Sequence, residues 1–218
     1  MKDKFVLKDD HVKNLQSDIE KTLKNGYNDL CGSNIISSDI TKCDRRLYYA
    51  MVNSDIHFSK KKEVHKSALI HKWCGILDYG DLLEVMETEF LAADCNHNVY
   101  SVIDIIGNIS EIPVVINIEE ISDEDFSSGN AKRKHVIDTM IQMWLAEVND
   151  GFLIYENLFT KEYNIFHILP NVSVLNAVKK KLINLSNSKI SGTLPERKYE
   201  TSNSKECKEC SYCDRCWR

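Results

Sequence analysis

Val99-Tyr100-Ser101-Val102-Ile103-Asp104-Ile105-Ile106 and Ile112-Pro113-Val114-Val115-Ile116-Asn117-Ile118-Glu119-Glu120-Ile121 are two runs rich in β-branched residues, with a Gly107-Asn108 turn signal between them. The first carries one carboxylate, Asp104, among isoleucines. A carboxylate in a run that reads as buried needs a partner, so Asp104 is the first candidate site residue. In the second run Asn117 and Glu119 stand two apart, which places both side chains on one face of a strand.

Working outward, residues 87–93 form a third β-like run, and three strands in succession predict a meander. Helical spacing precedes them in three places. The apolar positions are Val12, Leu15, Ile19 and Leu23 over residues 9–23. Ile40, Cys43, Leu47, Ala50 and Met51 follow a Ser37-Ser38 cap, and Leu69, Trp73, Ile76 and Leu77 lie within residues 59–77. Downstream the pattern predicts a helix over 131–148, strands over 152–157 and 163–169, and a helix over 172–185. A Ser, Asn, Lys and Glu-rich stretch, 186–204, then reads as a flexible linker. Trp73 and Trp144 fall among apolar helix positions and are assigned to the core.

The chain has 218 residues, 43% apolar and 28% charged, with 3 prolines and 8 glycines, which excludes a disordered or collagen-like protein. No apolar leader or membrane-length apolar run is present, so an intracellular, cytoplasmic protein without a membrane partner is expected. The net charge of −5 argues against a globally basic nucleic-acid binder. Local basic clusters at Lys42, Arg45 and Arg46, at 60–62, at 132–134 and at 179–181 still allow a phosphate-tracking groove. The acidic residues from Glu119 to Asp125 read most simply as a solvated strand end and loop.

Four of the eight cysteines, Cys207, Cys210, Cys213 and Cys216, recur every third residue near the end of the sequence. That spacing is tighter than the paired knuckles of a structural zinc site. It matches runs that hold several irons of one 4Fe-4S cluster, with a further thiolate arriving from elsewhere. Zinc, or no metal, is the alternative. The remote ligand is to be found among Cys31, Cys43, Cys74 and Cys95.

On these residues the chain resembles the RecB-type PD-(D/E)XK nucleases, in particular the CRISPR-associated iron-sulfur exonucleases and their phage relatives. An Ile40-x-x-Cys43-x-Arg45-x-x-Tyr48-like segment and a Cys-x-x-Cys-x-x-x-x-x-Cys-Trp ending carry the likeness. The resemblance implies Cys43, Cys207, Cys210 and Cys216 as cluster ligands, with Cys213 an extra thiol and Trp217 shielding the cluster from water. It also implies an α/β fold of restriction-endonuclease type, a mixed central sheet flanked by helices. The 4Fe-4S cluster would join the N-terminal helical part to the C-terminal tail, with boundaries at 1–58, 59–185 and 186–218.

The nuclease landmarks implied by the resemblance are His71, Glu89, Asp104, His135 and the strand Gly151 to Glu156. Asp138 stands where a glutamine is usual and Ser101 where a glycine is. Metal ligands are expected from Asp104, Glu119, Glu89 and His71, with Mg or Mn as the ion, and catalytic roles from Asp104, Glu119 and His71.

The family's Glu-x-Lys is altered: in the favoured register Asn117 replaces the glutamate and Glu119 the lysine, while a register of Glu120-Ile121-Ser122 restores the acid but offers no lysine. The lysine that activates water and stabilises charge on the phosphate is therefore missing from its strand. Lys132 or Lys134 is the expected migrated substitute. The function implied is DNA binding in replication, recombination or end processing, with nuclease activity weak or lost. The alternatives are an active metal-dependent exonuclease, or a pseudonuclease assembled with protein partners in a viral particle or larger machine.

Overall fold

The computed structural model describes residues 35–53, 60–79 and 83–218. The expected helix over 9–23 and Cys31 lie outside them. The sheet contains β1 (Ile35–Ile36), β2 (Glu84–Asp94), β3 (Val99–Ile109), β4 (Ile112–Ile121), β5 (Asp150–Asn157) and β6 (Tyr163–Ile168). Its order is β1-β3-β4-β5-β6, with β2 also paired to β3. It is mixed: β1 runs parallel to β3 and β4 parallel to β5, while the remaining pairs are antiparallel.

The β3–β4 turn is Ser110-Glu111, both at positive φ, rather than the Gly107-Asn108 expected from sequence. Two left-handed residues give a two-residue hairpin the twist its strands need. Gly107 remains in the ladder for a different reason: a Cβ there would meet the Glu84 carbonyl oxygen at 2.5 Å.

α1 (Asp44–Asn53) begins one residue after Cys43, whose carbonyl accepts the Leu47 N–H at 3.1 Å. Cys43 therefore precedes the helix instead of sitting within it, because Ser37–Asp39 turn separately as a 3-10 helix. α2 (Lys60–Tyr79) lays Leu69, Ile70, Trp73 and Leu77 on one face of the sheet, against Ile105, Ile116, Ile118 and Ile154. A short α3 (Asp123–Ser127) leads to α4 (Arg133–Leu145), the crossover between parallel β4 and β5. Met140 and Met143 of α4 cover the opposite face with Ile103, Val115, Leu153 and Tyr155. The sheet is thus covered on both faces, as a sheet with parallel central pairs requires.

α5 (Val172–Ser191) is longer than its apolar period indicated; Asn171 caps it and Gly192, at φ 68°, ends it. The first six residues of the expected linker, 186–191, are therefore helix. The rest is pinned, with Arg45 Nε donating to the Pro195 carbonyl at 2.7 Å and Arg197 donating to that of Cys216. α6 (Lys205–Lys208) and α7 (Cys213–Trp217) follow. Tyr212 packs in a core cluster with Leu47, Tyr49 and Met51 of α1 and Leu182 of α5, so apolar burial joins the early helix to the tail. Among the described residues, no helix is long and apolar enough to cross a membrane.

Candidate functional site

β3 and β4 pair only from Ile105–Ile116 outward to the turn, while β1 takes the flank of β3 at Val99 and Tyr100. Between these ladders the strands part, and Asp104 lies in the opening. Its Oδ2 accepts the Ile118 N–H at 2.7 Å, replacing a bond the ladder would have made. Glu119 approaches from the β4 side. Lys66 of α2 reaches both acids, with Nζ 3.0 Å from Asp104 Oδ1 and 3.6 Å from Glu119 Oε1.

Asp104 is 1% exposed, and burial raises its pKa to about 6 against the pull of Lys66. Burial opposes the Lys66 charge too, but Asp104 and Glu119 outweigh it and hold the ammonium above the usual lysine range. Asp138 of α4 is the third acid of this region. Its Oδ1 accepts from the Ser37 hydroxyl at 2.5 Å, and burial raises its pKa to about 7. Ser101 Oγ stands 2.7 Å from Ser37 Oγ, so the residue in the usual glycine position extends this buried polar chain.

His135 opens α4 beside Glu119, with Nε2 4.0 Å from Glu119 Oε2. Tyr155 accepts the Lys132 N–H at 2.8 Å and lies 2.8 Å from His135 Nδ1. The phenol hydrogen is then free to point at Nδ1, leaving the proton of a neutral ring on Nε2, toward Glu119. Burial keeps the ring neutral by lowering its pKa to about 4. Asn117 donates from Nδ2 to Thr139 Oγ1 at 3.1 Å, whereas its fully buried Oδ1 has no hydrogen-bond partner.

The structure brings together Asp104 and Glu119 with Asn117, Asp138 and His135. Glu89 lies between the pairs Thr88–Ile105 and Phe90–Ile103, hence in register with Asp104. It adopts φ 52°, and its carboxylate accepts from Ser67 Oγ at 3.1 Å. His71 is not brought in: five residues past Lys66 on the same helix it faces solvent, while the sheet takes Leu69, Ile70 and Trp73. Neither expected lysine occupies the site. The Lys132 ammonium pairs with Asp125, and Lys134 is exposed on the first turn of α4. Lys66 is the lysine that reaches Asp104 and Glu119. Sequence reading missed it because one lysine in a polar helix start carries no signal of what it will face.

Glu119 and Glu120 are ion-paired rather than simply solvated. On the other sheet face Lys161 bridges Glu120 at 2.9 Å and buried Glu156 at 3.3 Å, and Glu156 also receives Lys72 at 2.5 Å and Trp73 Nε1 at 3.0 Å.

Among the described residues, no three His, Cys, Asp or Glu side chains are set to hold a metal ion. The donor set at the strand opening is two carboxylates and the unpartnered Asn117 oxygen. That suits a hard ion which keeps several waters, as Mg does, and a neutral amide oxygen is a weaker ligand for it than a carboxylate.

A second candidate site is a cavity lined by Cys43, Cys207, Cys210, Cys213 and Cys216 together with Tyr49, Tyr212 and Trp217. The Cys43 N–H donates to Glu206 Oε1 at 3.1 Å across 163 residues of sequence. Glu206 is gripped by Lys198 and by the Tyr199 hydroxyl. Arg45 Nη1 lies 3.9 Å from Cys216 Sγ, and Arg197 stacks on Trp217 at 4.6 Å. Cys74 packs against the α2 face core and Cys95 is in the β2–β3 turn, so among the described residues Cys43 is the scattered cysteine that lines the cavity. The buried Trp217 Nε1–H has no acceptor. These thiols, with Arg45 beside them and an unused N–H donor, form a donor set that could hold a soft metal or a sulfide-bearing cluster.

No protein-family model matches the chain, and no curated protein does. Solved structures do. An alkaline exonuclease (LHK-Exo) from Laribacter hongkongensis is similar with a TM-score of 0.55 and 12% identity, covering 78% of this chain and 94% of that one. Its complex with dAMP gives 0.54 and 13%, over 75% and 91%. A phage-related exonuclease from Haemophilus somnus 129PT gives 0.53 and 10%, over 73% and 96%. At such identities the likeness is one of fold. This chain has the mixed α/β fold of these exonucleases.

Proposed function

We propose that this chain is an iron-sulfur, nuclease-fold DNA-binding protein of DNA replication, recombination or end processing, in which hydrolysis is weak or absent. The observation that carries the reading is the arrival of Cys43 at the cavity of the terminal cysteines, which supports kinship with the CRISPR-associated iron-sulfur exonucleases. Cys43, Cys207, Cys210 and Cys216 would hold a 4Fe-4S cluster, with Trp217 and Arg45 beside it. Such a cluster supplies a cross-link between the chain's early and late parts.

At the strand opening, Asp104, Glu119 and Asn117 Oδ1 would hold Mg or Mn, which supplies Lewis acidity toward a phosphodiester. The neutral Asn117 and the acidic Glu119 weaken both cation binding and phosphate approach. A second reading, an active metal-dependent DNA exonuclease, is favoured by one observation: the Lys66 ammonium stands at the acids where the strand lacks its lysine.

Protein purified with its cluster is incubated with end-labelled single-stranded and duplex DNA plus Mn. Salt-sensitive binding without degradation supports the first reading. Degradation abolished by Asp104→Ala establishes the second. Absence of binding, or a colourless protein lacking iron and sulfide, overturns the proposal.

A further inference from the structure

The strand opening carries its own cation. Lys66 Nζ stands 3.0 Å from Asp104 and 3.6 Å from Glu119, between the two acids. Asp104 is almost wholly buried and its second oxygen is taken by the Ile118 N–H, which leaves Oδ1 as the oxygen facing the opening. A divalent ion held by the same carboxylates would sit about 2.1 Å from their oxygens, within the space the ammonium occupies. Two carboxylates balance one divalent ion. An ammonium left beside that pair would face the ion with Asp138 as the remaining acid near it, and its repulsion by the ion is strong at such separations. The Lys66 side chain is 37% exposed, so it has an outward path.

Resting on the reading of Asp104 and Glu119 as a divalent-cation site, we propose that Lys66 is a resident counter-cation which the divalent ion must displace. The metal-free protein is held closed by the lysine. Cation binding exchanges one positive group for another and turns the Lys66 ammonium out toward the mouth of the cleft, where an approaching phosphate is met by it.

The test is Mn binding to the full chain, read from loss of the free-Mn electron paramagnetic resonance signal, for the wild type and Lys66→Gln. Removing the competitor should tighten Mn binding by about tenfold or more. Independently of any variant, acylation of the Lys66 amine in the wild type, mapped by mass spectrometry, should speed up when Mn is added. Equal or weaker Mn affinity in Lys66→Gln, or labelling indifferent to Mn, overturns the displacement while leaving the cation site standing. No saturable Mn binding in either protein, or binding unchanged by Asp104→Asn, removes the cation reading and this inference together. If Lys66→Gln does not fold, the wild-type labelling decides.

Discussion

Lys66 and Asp104 form an ion pair of 3.0 Å between a helix on one face of the sheet and a strand in its middle, 38 positions apart in sequence. The pair places a positive charge between the carboxylates of β3 and β4. It also makes the opening between β3 and β4 a closed, charge-compensated feature of the metal-free protein. Removing the lysine exposes what it compensates: Lys66→Gln should lower stability by about 1–3 kcal/mol at neutral pH. Saturating Mn should restore part of the loss through preferential binding to the folded state. Urea unfolding with and without Mn measures both.

Asp104 and Asp138 both have folded pKa values raised by burial, to about 6 and about 7. An acid with a raised folded pKa contributes stability that is complete below its unfolded value and is lost as pH rises through the folded one. His135, lowered to about 4, acts in the opposite sense between about 4 and its ordinary value near 6.5. Two falling contributions against one rising one leave stability declining from pH 4 to pH 7 in the metal-free protein. Asp138→Asn, which keeps an acceptor for Ser37, should therefore stabilise at pH 8 by on the order of 2 kcal/mol. The gain should vanish near pH 4, and denaturation midpoints across that range test it.

Cys43→Ala should abolish iron incorporation and loosen the tail, because Cys43 joins the early segment to the cavity lined by Cys207, Cys210 and Cys216. Cys213→Ala should keep the visible absorption and iron content of the parent, since four thiolates complete the cluster. Loss of iron in Cys213→Ala with retention in Cys216→Ala would reassign the fourth ligand.

Glu156 is 1% exposed and receives Lys72, Lys161 and Trp73 Nε1. Replacing it with alanine leaves the Lys72 ammonium and the Trp73 indole N–H without their acceptor, while Lys161 keeps Glu120, a loss of about 2 kcal/mol. Iron content should be unchanged, because this network lies away from the cysteine cavity. Differential scanning calorimetry with iron analysis separates the two effects.

Tyr155→Phe deletes the hydroxyl that accepts the Lys132 N–H and orients His135. The start of α4 then has an unsatisfied, half-buried donor, at a cost of about 1 kcal/mol. The His135 tautomer should no longer be fixed, which nitrogen-15 spectra of the imidazole read directly.

The sequence by itself determined the parts whose signals are local. Period-two runs of Val and Ile placed β3 and β4, and Asp104 betrayed itself as a charge among isoleucines. Cysteines every third residue marked the tail thiols that line a cavity, and Glu119 stood out two positions after Asn117. Local signals also misled. Gly107 resembles a turn but is a close approach to the Glu84 backbone, and a polar stretch read as linker continues α5 to Ser191.

Only the tertiary structure decided which distant groups meet. The parting of β3 from β4 creates the opening. The packing of Leu69, Ile70 and Trp73 on the sheet turns Lys66 inward and His71 outward. Burial of Tyr212 among α1 and α5 side chains carries the terminal cysteines to Cys43. A side chain's chemistry is written in its residue, but the electrostatic field it meets is made by neighbours that packing selects from elsewhere in the chain. For that reason Lys66 could not be distinguished, before folding, from any other lysine on a polar helix.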